Sequence, residues 1–212
     1  MARYIGRENV RKRLEPLDEG RTEYREGAVR IETEDETITV RPPFGLEHEG
    51  SYDSVFLEPL FGELARDRVI AAVLVRLGGF AIGVFEGERL VASKVGSRFV
   101  KGRHKKGGSS SGRFRRRREE QARALIEAAA ETAVRVLEPW RERIELVALG
   151  GDLRAIDELL AAEPRLAWLA ERRVPRFFTV EDPRQRTLER LPYDLYAAEV
   201  ETTEGATEAP SG

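Results

Sequence analysis

The sequence predicts an α/β or α+β protein in which a mixed, largely antiparallel sheet carries packed helices. Three observations lead there. Three apolar runs, at 69–77, 80–85 and 90–95, succeed one another across the short connections Gly78-Gly79 and Glu86-Gly87-Glu88, which have the length of hairpin turns. Residues 112–137 are then rich in Ala, Glu, Arg and Leu, with Leu125, Ala129, Ala133 and Val136 at the spacing of one helix face. Beyond them, strand-like and helix-like segments alternate, an order that lays helices on a sheet.

Taken in order, the opening residues mix charges around Tyr4, Ile5, Val10 and Leu14 and predict a short amphipathic helix ending near Pro16. AVRIETEDETITV, at 28–40, alternates on both sides of an acidic turn and predicts a β-hairpin closed by Pro42 and Pro43. Val55, Leu57, Leu60, Phe61 and Leu64 fit a helix with Ser54 as N-cap and Pro59 as an interruption. The near-continuous run VIAAVLVRL reads as the buried centre of the meander. After the long helix, stopped by Pro139, residues 144–149 predict a buried strand, and Gly150-Gly151-Asp152 a turn whose Asp152 caps a helix over 153–162. RFFTV, at 176–180, predicts a short strand, and Pro183 opens the last helix. The polar end, 201–212, is expected to be disordered. Residues 1–48 are accordingly read as an N-terminal helix and hairpin packed on a main domain of 49–200.

Composition narrows the chemistry. The 212 residues are 41% hydrophobic, enough for a real core, and 36 Lys plus Arg against 38 Asp plus Glu leave a formal charge of -2. There is no cysteine, which excludes disulfides, thiolate nucleophiles and Cys-based zinc sites, and two histidines exclude a His-rich metal cluster. No run approaches the roughly 18–20 apolar residues of a membrane span, and no signal peptide is visible, so a soluble cytoplasmic protein is expected.

Against that balanced background, the stretch from Lys94 to Gln121, KVGSRFVKGRHKKGGSSSGRFRRRREEQ, concentrates positive charge. Lys94, Arg98, Lys101, Arg103, His104, Lys105 and Lys106 precede a glycine and serine loop; Arg113, Arg115, Arg116, Arg117 and Arg118 follow it, and no acid intervenes before Glu119. Cations beside flexible backbone suit a phosphate-bearing partner, with salt-dependent binding. Gly107-Gly108 permits close approach of backbone N–H groups, and Ser109, Ser110 and Ser111 add small hydroxyls. By composition alone GGSSSG is a flexible linker; its place between a strand and a helix, inside a cationic run, points to function. Arginines near a helix start have the wrong sign for the helix dipole, which a polyanion would offset. A lone histidine in such a loop is more often a bystander than a general base.

Strand, basic run, GGSSSG, RFRRRREEQ and long helix together resemble the central catalytic domain of eukaryotic and archaeal class I peptide-release factors. They resemble more specifically the Vms/ankyrin-zinc-finger group of peptidyl-tRNA hydrolases and its bacterial Vms-like release factors. The similarity runs best from Phe80 to Glu131 and continues through GGDLRAID and RFFTVEDP. It implies a release-factor central-domain-like (RNase H-like) architecture and a loop that reaches the ester between nascent peptide and tRNA. Gly107 and Gly108 match the family's loop glycines, with Ser109, Ser110 and Ser111 beside them as the catalytic loop, while the flanking cations match in kind those that hold the tRNA end. The family's loop glutamine has no counterpart: serines stand there, and Gln121 lies well into the helix.

The resemblance thus implies a peptidyl-tRNA hydrolase acting on stalled large ribosomal subunits in ribosome-associated quality control. Its partners would be peptidyl-tRNA and ribosomal RNA, with no membrane and with any ATPase or splitting factor unspecified. No metal or organic cofactor is implied. Two other readings stay open, a nuclease cutting near the tRNA CCA end and a non-catalytic ribosome or RNA binder.

Overall fold

The computed structural model describes residues 2–76, 78–97 and 111–204. The fold is mixed α+β, and its strands divide between two sheets, each with its own core. Two compact units result: one gathers the chain up to Arg66 and from Tyr193 onward, and the other comprises Asp67–Pro192.

The first unit holds β1 (Arg3–Gly6), α1 (Arg7–Leu14), β2 (Arg21–Arg25), β3 (Ala28–Glu32), β4 (Glu36–Arg41), β5 (Gly50–Tyr52), α2 (Glu58–Ala65) and the late strand β10 (Ala197–Glu204). They form an antiparallel sheet in the order β1-β10-β4-β3-β2-β5. Period-two alternation buries Thr22 together with Tyr24, Val29, Ile31, Ile38, Val40, Ala198 and Val200, and the last seven pack with Val10 and Leu14 of α1 and Leu60 and Leu64 of α2. The expected 28–40 hairpin is present as β3 and β4. Thr33 closes its turn by donating from Oγ1 to the Glu36 carbonyl at 3.0 Å and accepting from the Glu36 N–H at 3.1 Å.

Three local expectations change in this unit. Tyr4 and Ile5 belong to a strand rather than to the helix, because their backbone pairs with Glu199 and Ala198. Pro59 does not interrupt α2 but sits in its first turn, where the missing N–H has no helical acceptor, so the helix starts at Glu58 and Ser54 does not cap it. Strand β10 runs to Glu204, four residues into the segment expected to be disordered, with Glu201–Glu204 paired against Thr39–Glu36 of β4.

The second unit holds β6 (Val69–Arg76), β7 (Gly79–Glu86), β8 (Arg89–Ser97), α3 (Ser111–Leu137), β9 (Leu146–Gly151), α4 (Leu153–Ala162), the single-turn α5 (Trp168–Glu171) and α6, which starts at Gln185 and ends at Leu195. Its sheet runs β8-β7-β6-β9, antiparallel except for the parallel β6–β9 pair. Strand β6 is buried on both faces, as the VIAAVLVRL run requires. Val73, Val75, Phe80, Ile82, Val147 and Leu149 share one cluster with Leu125, Ala129, Ala133 and Leu137 of α3 and Ile156 and Leu159 of α4. α6 covers the opposite face, where a Cβ on Gly83 would meet the Leu188 side chain.

RFFTV is not a strand. It contributes a single parallel bridge, Gly150 to Phe178, with Phe178 N–H donating to the Leu149 carbonyl at 3.0 Å and Gly151 N–H to the Phe178 carbonyl at 2.9 Å. Gly150 permits this approach, since a Cβ there would lie 2.4 Å from the Phe178 carbonyl oxygen. Pro183 precedes α6 by two residues rather than opening it.

Candidate functional site

The pairing register places the end of β8, the strand that enters the basic stretch, at one end of the four-stranded sheet. Ser97, the last residue of β8, lies opposite Gly79; Gly79 lies opposite Arg76; and Val75 lies beside Gly151. Strands about 4.8 Å apart put the ends of β8 and β9 about 14 Å from one another along this row. The chain leaves the row at Ser97 and re-enters the described structure at Ser111, the first residue of α3.

Of the residues singled out in the sequence, Arg98, Lys101, Arg103, His104, Lys105, Lys106, Gly107, Gly108, Ser109 and Ser110 lie outside the described residues. Ser111, Arg113 and Arg115 fall in the first turns of α3. Arg116 and Arg117 are exposed and Arg118 is half-buried, and no ion pair joins any of the three to a described residue. Arg118 stands two turns before Leu125 and so on the helix face that Leu125 buries. No acid sits in the first turn of α3 to offset the helix dipole. Lys94 is exposed on β8.

The same end of the sheet carries a cleft of about 780 Å³ between α3 and α4, which the sequence did not reveal. Its floor is small and apolar, with Ala122 and Ala155 beside Leu125 and Ile126. Arg76, Arg123 and Arg154 line it with Glu119, Glu127, Asp152 and Glu158, so its charge is nearly balanced. Arg76 is held there by donating from Nη1 to the Val180 carbonyl at 2.9 Å, and Arg154 pairs with Glu158 at 2.9 Å. These residues come from β6, α3, α4 and the Asp152 cap between β9 and α4, and no local pattern links them.

Asp152 performs the capping role expected of it, accepting from the N–H of Arg154 at 2.9 Å and of Ala155 at 3.3 Å. The preceding Gly151 has φ of 98°, and a Cβ would lie 2.1 Å from the Val75 carbonyl oxygen. This turn is therefore structural, and the Asp152 carboxylate occupies the helix end that an anion would need. Trp168 is buried in the core, with the Arg141 and Arg172 guanidinium groups 5.9 and 5.3 Å from its ring centroid, while Trp140 packs under Arg143 at 4.9 Å. Carboxylates with displaced titration lie elsewhere. Hydrogen bonds from Arg143 and Arg89 lower the pKa of Glu86, at the far end of β7, and Arg165 draws Glu163 down to about 2. Among the described residues, no group of three or more His, Asp or Glu side chains is placed to hold a metal, and no helix is long and apolar enough to cross a membrane.

Residues 68–201, which contain this whole arrangement, match the family described as Actinobacteria/chloroflexi VLRF1 release factor. The chain belongs to this release-factor family. A curated relative of the VLRF1-family chain is peptide chain release factor subunit 1 of Archaeoglobus fulgidus, 26% identical over 141 residues, which are 65% of this chain and 35% of that protein. The chain thus spans about a third of that relative's length. Among solved structures, the archaeal translation termination factor aRF1 aligns with a TM-score of 0.46 at 15% identity, covering 76% of this chain and 50% of that one. A structure described only as an archaeal protein aligns with a TM-score of 0.42, also at 15% identity and with the same coverage.

Proposed function

We propose that this VLRF1-family chain is a peptidyl-tRNA hydrolase that releases nascent peptide on stalled large ribosomal subunits, the activity of the Vms/ankyrin-zinc-finger group that its central stretch resembles. The observation that carries the reading is the start of α3. Within a release-factor domain, Arg116, Arg117 and Arg118 have no ion pair among the described residues, and they directly follow the GGSSSG segment. In this reading Arg98, Lys101, Arg103, His104, Lys105, Lys106, Arg113 and Arg115–Arg118 engage tRNA and ribosomal RNA. Residues Gly107–Ser111 are then brought to the ester, where backbone N–H groups and serine hydroxyls orient water and stabilise the developing oxyanion.

A second reading, ribosome binding without cleavage, is favoured by one observation, the serines at 109–111 where the resemblance implies a glutamine. Incubation of the purified chain with stalled ribosome–nascent-chain complexes separates the two. Free peptide with an intact CCA-OH end is the expected result. Unchanged peptidyl-tRNA with tight binding would establish the binder, and a shortened tRNA still bearing peptide would establish a nuclease.

A further inference from the structure

The cleft between α3 and α4 opens beyond Arg76, the last residue of β6, and beyond the turn that follows β9, and these two strands are parallel neighbours. The crevice outside the carboxyl ends of parallel strands is where open α/β sheets take their ligands. A volume of about 780 Å³ lies inside the range of roughly 300–1,000 Å³ occupied by ligand pockets. Its formal charges are not all answered within the fold. Arg154 is paired with Glu158, and Asp152 sits on the N-terminus of α4. Arg76 and Arg123 face no carboxylate among the described residues: Arg76 donates to the Val180 carbonyl, which holds it without neutralising it, and Arg123 is exposed. Asp152 accepts both capping bonds through Oδ1, so Oδ2 stays open as an acceptor, as does the Glu127 carboxylate.

Two cationic donors and two acceptors therefore surround a floor in which Ala122 and Ala155 leave a shallow apolar bed. Unpaired RNA bases are held by this combination, stacked against a guanidinium plane and hydrogen-bonded along their edges. A protein helix fits less well, because docked partners are anchored by large apolar side chains in pockets. None of the large apolar residues exposed in the described structure, Tyr4, Val95, Leu153 and Tyr193, lines the cleft. Arg116 precedes Arg123 by seven residues, two turns or about 10 Å along the same face of α3, and it too lacks a described ion pair.

We propose that the cleft receives one unpaired nucleotide of an RNA strand whose backbone passes Arg116. The base lies on Ala122 and Ala155 beneath the Arg123 guanidinium, Arg76 donates to the phosphate, and Asp152 Oδ2 accepts from the ribose 2′-OH. The inference rests on the RNA-binding part of the reading above and adds to it a site that senses bases and sugar as well as charge.

The test titrates the full chain, by fluorescence anisotropy, with a short single-stranded RNA, its abasic counterpart of equal phosphate number, and the same sequence as DNA. The wild-type chain is expected to bind the RNA about 10-fold more tightly than the abasic strand and more tightly than the DNA. Ala122→Leu fills the floor at a position where Leu suits a helix, and is expected to erase the base preference while the salt slope stays as it was. Ala155→Leu, from the opposite wall, repeats the measurement should Ala122→Leu not fold. Asp152→Asn keeps an oxygen for the cap and is expected to erase the preference for RNA over DNA. Equal binding of the RNA and abasic strands by the wild-type chain, or a base preference that survives both leucine substitutions, would overturn the proposal. If the leucine variants bind the oligonucleotides as the wild type does but no longer bind RNA-free proteins of the large subunit, the occupant is a protein helix and the proposal is likewise overturned. None of the oligonucleotide titrations involves a ribosome. A chain that releases peptide without base preference loses the cleft assignment and keeps the release reading, and one that shows the preference without release does the reverse.

Discussion

The two halves of α3 obey opposite rules. From Leu125 to Leu137 the helix buries Leu125, Ile126, Ala129, Ala130, Ala133 and Leu137 against the sheet and turns Glu127, Glu131 and Arg135 outward, the division expected of an amphipathic helix. From Ser111 to Arg118 there is no acid, the run of cations is set against the helix dipole, and Arg116, Arg117 and Arg118 make no ion pair to a described residue. The second half is complete within the fold. The first half carries positive charge that no described partner offsets, and on the proposed reading the same continuous helix serves folding at one end and recognition at the other.

The largest effect that could break this contrast lies in the buried half. Leu125 is 2% exposed, and Leu125→Ala should lower unfolding free energy in urea by about 2–5 kcal/mol, the range for removing a buried Leu side chain. The salt dependence of RNA association by the remaining folded protein should not move. Ala133, at 0% exposure, has no room to grow, and Ala133→Leu should cost about 1–3 kcal/mol through overpacking. A loss below about 0.5 kcal/mol at both positions, the size of an ordinary surface substitution, would mean that α3 is not the core helix described above.

A control comes from the other core, which contains no part of the basic stretch. Burial pushes the Tyr24 phenol up to about 12, and its hydroxyl donates to the Phe56 carbonyl at 2.6 Å. The folded state favours the protonated phenol, so this contribution is whole below pH 10 and is lost as pH rises from 10 through about 12. The loss is on the order of 2–3 kcal/mol, at 1.36 kcal/mol per pKa unit. Tyr24→Phe should flatten stability across that window, whereas neutralising Arg116–Arg118 should leave it in place. If unfolding curves of Tyr24→Phe retain the alkaline loss, the titrating group is a different one.

What the sequence disclosed follows the same division. The meander, α3 and the capped α4 were legible because each is encoded in consecutive residues: the VIAAVLVRL run, the Leu125–Ala129–Ala133 spacing, and Asp152 before Leu153. Strands β1, β2, β5 and β10 were not, because their signal is a distant partner. Ile5 finds Ala198, and RTEYR in β2 shows its alternation only once Thr22 and Tyr24 are buried. The turn joining β2 to β3 places Glu26 at φ 52° and Gly27 at φ 71°, a hairpin geometry whose usual Asn-Gly signature is absent. For the site, charge concentration was visible in the sequence, while the α3–α4 cleft needed the register of β6, β7, β8 and β9.

The smallest effect on stability, and the sharpest on function, belongs to the first half of α3. Replacing Arg116, Arg117 and Arg118 together by Gln removes charge but keeps helix propensity and a polar side chain. Taking positive charge away from the positive end of a helix should leave stability unchanged or raise it by a few tenths of a kcal/mol per residue. If the arginines neutralise phosphates, the slope of log affinity against log salt should become shallower by about 0.7–0.9 for each phosphate no longer neutralised. Arg118 should separate from its neighbours: it alone is half-buried on the Leu125 face, so Arg118→Leu should extend the apolar stripe and stabilise the helix, whereas Arg116→Leu should only add exposed apolar surface. A triple variant that loses stability while its salt slope stays at the wild-type value would reverse the contrast, making these arginines part of the fold and leaving recognition to be sought in another surface.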